Sequence, residues 1–217
     1  MATLAPKRPN GKAVAVAPVS NAAADFIGME QPYTASVTVE GTAALLFHAY
    51  NVESVAEKAG AAKGSKAKKT DDLESYVYRT PEGLLGIPGL NFCASLALAA
   101  KFVQDPRSPR KSALDLVKAS VVPLGDIAAL EPATATWDSI DIRRVVVQRS
   151  AISRQRPCMR AGWRVTFQLL ITAPEYVTVP FLRSLVQRAG KFTGLGDFRP
   201  SFGRFDVVRF DVSEVSA

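Results

Sequence analysis

The segment YTASVTVE, residues 33–40, alternates between two kinds of side chain along its whole length. Apolar residues occupy positions 33, 35, 37 and 39, and polar residues occupy the positions between them. Strict alternation with a period of two is typical of a β-strand with one buried face and one exposed face. Gly41 follows directly and ends the predicted strand. The segment therefore predicts a strand that packs on one face only.

Later segments predict three more strands and two helices. The segments WRVTFQLLI (163–171) and IRRVVVQR (142–149) alternate like the first strand, and FDVVRFDV (205–212) changes phase at Val207–Val208, which predicts a β-bulge. Residues 89–102 are apolar almost all round, which indicates a helix packed between other elements. In TVPFLRSLVQRAG (178–190), Pro180 suits the first helical turn and Gly190 is expected to close the helix.

Without insertions, the order is strand, helix, strand, strand, helix, strand. This order predicts an α+β fold, namely a ferredoxin-like (RRM-like) βαββαβ sheet with both helices on one face and basic insertions, its other face being free for a ligand or partner. We expect a flexible N-terminal tail over residues 1–32 and one domain over 33–217, with insertions around 50–88 and 105–140. A small hairpin is predicted over 74–88, and short helical pieces over 112–122 and 124–130.

Composition limits the classes of function. The chain of 217 residues has a net charge of +7 and two cysteines without metal-site spacing. It has no apolar run of roughly 18 residues and no secretory signal, so we expect a cytoplasmic protein without a membrane partner. The sequence contains no P-loop, histidine cluster or serine-nucleophile elbow. We therefore expect no cofactor and no metal site.

Lysine and arginine are concentrated in three segments, 63–69, 101–111 and 143–164. Clustered positive charge favours a polyanionic partner, whereas charge that serves only solubility would be spread along the chain. In the third segment the connector between two strands resembles a basic hairpin arm that could hold phosphates, the alternative being a solvated loop. Its candidate binding residues are Arg149, Arg154, Arg156 and Arg160, and a mobile arm contributes Lys66, Lys68 and Lys69. Arg143 and Arg144 are expected on the same surface as the connector.

The segment GLGDFRPSFGRF, residues 194–205, lies between the last predicted helix and the last predicted strand. Gly194 and Gly196 allow close approach of the backbone, and free amides in such a loop form an anion-binding concavity. Arg199 and Arg204 add planar donors suited to phosphate. The phenylalanines would stack on bases or anchor the loop. The alternative is a tight helix-to-strand connection.

His48 is the one histidine in the sequence. A histidine after the first strand could act as a general base in RNA cleavage, because its ordinary pKa is near neutrality. Tyr50 or Lys58 would have to supply a second group. The alternative is a purely structural histidine, so we do not favour an enzyme.

Three motifs resemble the RAMP superfamily, whose members form backbones and RNA-processing subunits of CRISPR effector complexes. They are VTVEGTAALLFH (37–48), GIPGLNFCASLALAAKF (86–102) and the glycine-rich segment 194–205, which departs from the family pattern at Asp197 and Pro200. That departure is also compatible with a RAMP-like protein of a mobile element. The resemblance implies a ferredoxin-like fold, side-by-side assembly, a strand lying against Gly194, Gly196 and Gly203, and basic insertions that act as thumb-like arms.

The sequence therefore favours a non-catalytic protein that binds single-stranded nucleic acid, RNA or DNA with RNA favoured, largely without sequence preference. It would bind along the phosphate backbone and self-associate as a repeated subunit of a nucleoprotein assembly. One alternative is a metal-independent endoribonuclease with His48 as general base. Another is a phage or mobile-element interaction protein that binds no nucleic acid.

Overall fold

The computed structural model describes residues 31–50, 60, 72–147 and 150–215. The strands in these residues are β1 (Tyr33–Gly41), β2 (Leu45–Leu46), β3 (Tyr78–Arg79), β4 (Leu85–Pro88), β5 (Gln104–Asp105), β6 (Ser108–Ser112), β7 (Val121–Pro123), β8 (Ile127–Glu131), β9 (Ser139–Val147), β10 (Ser150–Met159), β11 (Arg164–Ile171) and β12 (Phe205–Glu214). The helices are α1 (Gly89–Ala100), α2 (Leu114–Ser120) and α3 (Val179–Phe192), with a 3-10 turn at Glu74–Tyr76. No helix in these ranges is long and apolar enough to cross a membrane.

The main sheet is antiparallel and has the order β12-β1-β11-β8-β4-β3, with β7 also paired to β11. Strand β1 lies inside the sheet, where Val37 pairs with Phe167 of β11 and with Phe210 of β12. Its odd-numbered residues are buried and its even-numbered residues are half-buried, as the alternation predicts. The chain therefore has the predicted α+β composition, with a central strand that carries the core.

The core lies between the main sheet and helices α1 and α3. The ring of Phe92 in α1 stacks on the ring of Phe167 in β11, with centroids 4.2 Å apart. Apolar residues of α3 recur with helical spacing on its buried face, namely Val179, Leu182, Leu185, Val186 and Ala189. Both long helices therefore pack on the face of the sheet to which the odd-numbered residues of β1 point.

Of two predicted details, the bulge in β12 is confirmed and the end of α3 is wrong. The bulge falls where it was predicted, because Val39 pairs with Val207 while Thr38 pairs with Arg209, which leaves Val208 unmatched. Gly190 does not close α3, since the helix continues to Phe192. A Cβ at Gly190 would collide with the carbonyl oxygen of Phe205. This glycine therefore allows α3 to pack closely against β12.

The segment predicted as the second strand of the main sheet lies elsewhere. Strand β9 pairs with β10, and β10 pairs with β2, in a separate three-stranded sheet. Arg143 and Arg144 put charge on both faces of β9, so neither face can be buried in a core. The positions beside β11 belong to β7 and β8, which bury Val121 and Leu130.

The helical pieces predicted over 112–122 and 124–130 are correct only in part. Helix α2 covers Leu114–Ser120, but Val121 and Val122 leave it and join β7. Residues 127–131 form β8, which pairs with both β4 and β11. Tertiary pairing therefore overrides the local helical signal, and part of the segment 105–140, expected as an insertion, lies in the main sheet.

The hairpin predicted over 74–88 is present as β3 and β4. The tail predicted over 1–32 lies outside the described residues, except for residues 31 and 32.

Candidate nucleic-acid interface

The glycine-rich loop, residues 194–204, is bonded to the protein through its own backbone. The amide of Gly194 donates to the carbonyl of Ala189 (2.8 Å), and the amide of Gly203 donates to the carbonyl of Ala44 (2.8 Å). Between them, the amide of Asp197 donates to the carbonyl of Leu46 (2.9 Å). Amides that donate inward cannot hold an external phosphate. The amides of Gly194 and Gly203 therefore do not form the expected anion-binding concavity.

The glycines of this loop are needed for close packing instead. Gly194, Gly196 and Gly203 have φ values of 72°, 72° and 69°. A Cβ at Gly196 would collide with the carbonyl oxygen of Leu46, and one at Gly203 with that of Leu195. Only glycine combines this backbone conformation with such close contacts. The three predicted glycines therefore shape the loop and fix it against the segment after β1.

The two predicted arginines of the loop lie on the surface. The side chains of Arg199 and Arg204 are exposed. The backbone carbonyl of Arg204 accepts a hydrogen bond from the amide of Thr42 (2.9 Å), which fixes the end of the loop. A rigid backbone beneath two exposed guanidinium groups suits a phosphate-binding surface.

The three phenylalanines of the segment 194–205 have different surroundings. Phe205 is buried in the core. The guanidinium carbon of Arg143 lies 4.3 Å from the centre of the Phe202 ring, and that of Arg156 lies 4.5 Å from the centre of the Phe198 ring. Phe198 has a φ of 52°, in the left-handed region that non-glycine residues rarely adopt. These two rings therefore hold the basic hairpin β9–β10 against the loop.

Asp197 is the centre of the contacts between the loop and the hairpin. Its carboxylate accepts a hydrogen bond from Nε of Arg156, lies 3.4 Å from Nδ1 of His48, and accepts one from the Phe198 amide (2.9 Å). The hydrogen bond with His48, followed by those of Phe198 and Arg156, holds the pKa of Asp197 well below its usual range despite partial burial. Asp197 is therefore a carboxylate at neutral pH and binds three segments together.

Arg156 is an internal residue and not an exposed phosphate ligand. Its side chain is only 8% exposed. Its Nη1 nitrogen is buried and has no hydrogen-bond partner. Buried charges in proteins are normally paired, as this one is through Nε. Of the connector arginines predicted to bind phosphate, this one instead attaches the hairpin to the loop.

His48 is exposed at the edge of this cluster. Its ring meets that of Tyr76 edge to face, with centroids 4.8 Å apart. A small cavity of about 90 Å³ lies beside it, lined among others by His48, Tyr78, Asn91 and Asp197. Asp197 was not predicted as a partner of His48, although its position was recognised as a departure from the glycine pattern. Of the predicted partners, Tyr50 is exposed, and Lys58 lies outside the described residues.

The remaining predicted residues are spread over the hairpin. Arg143 donates to Asp141 (2.6 and 3.1 Å), and Arg144 and Arg160 are exposed. Arg154 is half-buried. Four predicted residues lie outside the described part of the chain, namely Arg149, Lys66, Lys68 and Lys69. Arg143 on the hairpin and Arg199 and Arg204 on the loop therefore lie on two segments that contact each other.

The open face of the main sheet has a different character. Arg164 pairs with Glu40 (2.5 Å), and Arg209 pairs with Asp211 (2.5 Å). Thr166 donates to Glu131 (2.8 Å) on the same face. Mixed charges that neutralise one another give no excess of positive potential. Arg199 and Arg204 have no carboxylate partner among the described residues, so the glycine-rich loop is the better candidate for polyanion binding.

Both cysteines are free thiols. Burial raises the pKa of Cys93 to about 11 and also raises the pKa of Cys158. Neither thiol is therefore activated as a thiolate nucleophile.

Comparison with known proteins gives a likeness of fold only. No family model matches the sequence, and no curated protein matches it. The structure is similar to a chain of "Cryo-EM structure of the Type III-B Cmr-beta bound to cognate target RNA", with a TM-score of 0.51 and 10% sequence identity. The match covers 85% of this chain and 61% of that chain, so this chain spans about three fifths of its neighbour. At 10% identity the likeness concerns the fold alone, and the resemblance of the sequence motifs to the RAMP superfamily stays a prediction.

Asp197→Asn should lower the midpoint of thermal unfolding (Tm) at pH 7, because the buried Arg156 loses its carboxylate. Breaking a fully buried pair costs about 3–5 kcal/mol, and we expect about 1–2 kcal/mol here because Asp197 stays partly exposed. That corresponds to a fall in Tm of roughly 2–8 °C. The pKa of Asp197 is lower in the folded protein than in the unfolded chain. The difference in Tm between Asp197→Asn and wild type should therefore be complete above about pH 5 and become smaller below about pH 4.

Thermal unfolding followed by circular dichroism between pH 3 and pH 8 measures this difference. Asp206→Asn, at an exposed carboxylate of β12, is the matched control and should change Tm little. Equal effects of the two substitutions would contradict the role of Asp197.

Proposed function

We propose that the protein binds single-stranded nucleic acid, with RNA preferred, along its phosphate backbone and without catalysis. The observation that carries the proposal is the attachment of the basic hairpin to the glycine-rich loop through Asp197 and the two phenylalanine rings. This attachment holds exposed arginines of two segments at fixed positions. Most protein contacts to nucleic acid go to phosphate and sugar, and guanidinium groups suit phosphate geometry. Such contacts carry no sequence preference.

The topology of the sheet supports the finer assignment of the fold. Strands β12, β1, β11 and the β7–β8 pair follow one another in the main sheet, and α1 and α3 connect them along the chain. We infer that these elements form the two split βαβ units of a ferredoxin-like domain, with β9–β10 as an inserted arm. The structurally similar chain belongs to a complex described as bound to cognate target RNA, which is consistent with this function.

The structure changes the mechanism expected from the sequence. The glycines of the loop set its shape, while the contact with phosphates falls to side chains, with Arg199 and Arg204 on the loop and Arg160 directly after the arm. We propose that Arg143, whose carboxylate partner Asp141 already balances its charge, helps to hold the two segments together.

Arg199→Ala with Arg204→Ala should weaken binding to single-stranded RNA about 10-fold at moderate salt, equally for different sequences, because two charge-assisted contacts of roughly 0.7 kcal/mol each are lost. Each phosphate contact contributes roughly 0.7 to the slope of log affinity against log salt, so the slope should fall by about 1.4. Fluorescence anisotropy with labelled oligonucleotides from 50 to 300 mM salt measures both quantities.

The matched control removes the same two charges from the open face of the sheet, through Arg164→Ala with Arg209→Ala. The control should keep the wild-type slope. If both double variants reduce affinity and slope equally, the effect is one of net charge and the loop is not the site.

A second candidate function is metal-independent cleavage of RNA, and the contact of His48 with Asp197 favours it. An ionised carboxylate near Nδ1 orients the imidazole and leaves Nε2 available to accept a proton. The same arrangement positions general bases in hydrolytic enzymes. The small cavity beside His48 would have to admit the attacking 2′-hydroxyl.

Incubation of a labelled hairpin RNA in the presence of EDTA tests this second function. If the protein cleaves, His48→Ala should reduce the rate by about 10²–10⁴-fold, the usual contribution of a general base. His48→Ala should leave RNA affinity unchanged. Absence of cleavage by wild-type protein removes the candidate and leaves the binding proposal intact.

We further propose that copies of the protein associate side by side along the strand through one face of the β9–β10 arm. Ile140, Ile142 and Val146 lie on one face of β9 and are 44%, 64% and 73% exposed, with Arg144 between the last two. The opposite face carries Asp141 and Arg143 and contacts the loop. Exposed apolar side chains on a projecting hairpin form a surface that a neighbouring copy could cover.

Ile142→Asp with Val146→Asp should abolish assembly on a long strand, because burying two carboxylates in an apolar contact is unfavourable. Affinity for an oligonucleotide that holds one copy should change less than about 3-fold, allowing for added negative charge. Analytical ultracentrifugation with long and short strands separates the two effects. Val208→Asp, at a half-exposed residue of β12, is the control, and loss of assembly in that variant would contradict the assignment to the arm.

A further inference from the structure

An open groove lies between the ends of α1 and α3 and the glycine-rich loop. Its volume is about 550 Å³. The side chains that matter for its chemistry are Leu98, Lys101, Phe102, Phe192, Thr193 and Arg199. The groove is separate from the His48 cavity, although Gly196 and Asp197 contribute to the walls of both. It lies on the helical side of the domain, away from the open face of the sheet.

Two aromatic rings are exposed in this groove. Phe102 is 71% exposed and Phe192 is 57% exposed, and their ring centres are 6.4 Å apart at an angle of 58°. Leu98 adds apolar surface next to them. Such exposed aromatic pairs are uncommon away from binding sites. The rings offer faces on which a planar group could stack.

The rim of the groove is positively charged. Lys101 and Arg199 are both exposed at its edge. Asp197, the one carboxylate among the lining residues, already has Arg156 and His48 as partners. The groove therefore combines apolar ring faces with cations whose charge is not cancelled by a neighbouring lining carboxylate. A ligand complementary to this groove has a planar apolar group with an anionic group attached to it.

A nucleotide has this combination of properties, since its base stacks and its phosphate is anionic. An acidic peptide would match the cations, but it would need an aromatic side chain at one defined position to use the two rings. Arg199 belongs both to this groove and to the loop proposed to bind phosphates. Continuity through Arg199 therefore favours the strand of nucleic acid over a protein partner.

We propose that this groove is a base-stacking subsite, in which one base of the bound single strand, or two, packs on Phe102 and Phe192 while Lys101 and Arg199 hold the adjoining phosphates. The subsite rests on the proposed function, because it extends the path of the strand from the loop towards the helices. Phenylalanine has no hydrogen-bonding group, so the subsite accepts every base. Purines, with their larger ring faces, bind there more tightly than pyrimidines.

The test compares an eight-nucleotide RNA with an abasic oligomer of the same length and charge. Wild-type protein should prefer the base-bearing strand about 10-fold, within the range expected of aromatic stacking. Phe102→Ala with Phe192→Ala should reduce this ratio to nearly 1 while leaving affinity for the abasic strand unchanged. Phe102→Leu with Phe192→Leu should do the same, because it keeps apolar volume but removes the rings. Phe102→Tyr with Phe192→Tyr should keep the ratio.

Leu90→Ala is the matched control, because Leu90 is 71% exposed at the opposite end of α1 and does not line the groove. It should keep the wild-type ratio. A wild-type ratio of 1 overturns the stacking subsite and leaves phosphate binding intact. A ratio that survives in the alanine or leucine variant also overturns it, as does a change in self-association without a change in the ratio. If wild-type protein binds neither strand, the proposed function itself is wrong.

Discussion

The ion pair between Arg156 and Asp197 joins two segments that are 41 residues apart in sequence. Without it, the hairpin β9–β10 would keep its pairing with the two residues of β2, and its basic side would have fewer fixed contacts with the glycine-rich loop. The pair is buried on the arginine side, so it acts in a medium where an unpaired charge is unfavourable. A hairpin held by such a pair has a defined direction relative to the domain. The arrangement of the exposed arginines depends on that direction.

The sequence pattern predicts close packing and anion binding for the same glycines, and the structure separates these two tasks within the glycine-rich loop. The glycines let backbone segments approach each other, and the amides of Gly194 and Gly203 donate within the protein. Its arginines point outward, where they are free to meet a solvent-borne anion. A rigid backbone beneath long charged side chains limits the conformational entropy lost on binding. The same loop therefore serves packing through its main chain, and its exposed side chains are the ones we propose for phosphate binding.

Much of the fold follows from patterns that local sequence can carry. The alternation in residues 33–40, 163–171 and 205–212 reports one buried face, and these segments became β1, β11 and β12. Strands β7 and β8 were missed because short apolar runs do not distinguish strand from helix until a partner strand is known. The inward amides of Gly194 and Gly203 were also not predictable, since a glycine with positive φ serves an inward turn as readily as a ligand. Asp197 was visible in the sequence only as a departure from the glycine pattern, and its contacts were not predictable because Arg156 and His48 come from distant segments.

The two faces of the β9–β10 hairpin are chemically unlike, one with Arg143 against the loop and one with Ile142, Arg144 and Val146 turned outward. If the outward face packs on a different surface of the next molecule, the contact can repeat from copy to copy, whereas packing on its own equivalent stops at a closed pair. Contacts between unlike surfaces are heterologous, and they generate open, directional arrays when the rotation does not close a ring. An array built in this way would have two distinguishable ends. Its growth along a strand would then have a polarity that matches the 5′-to-3′ direction of the nucleic acid.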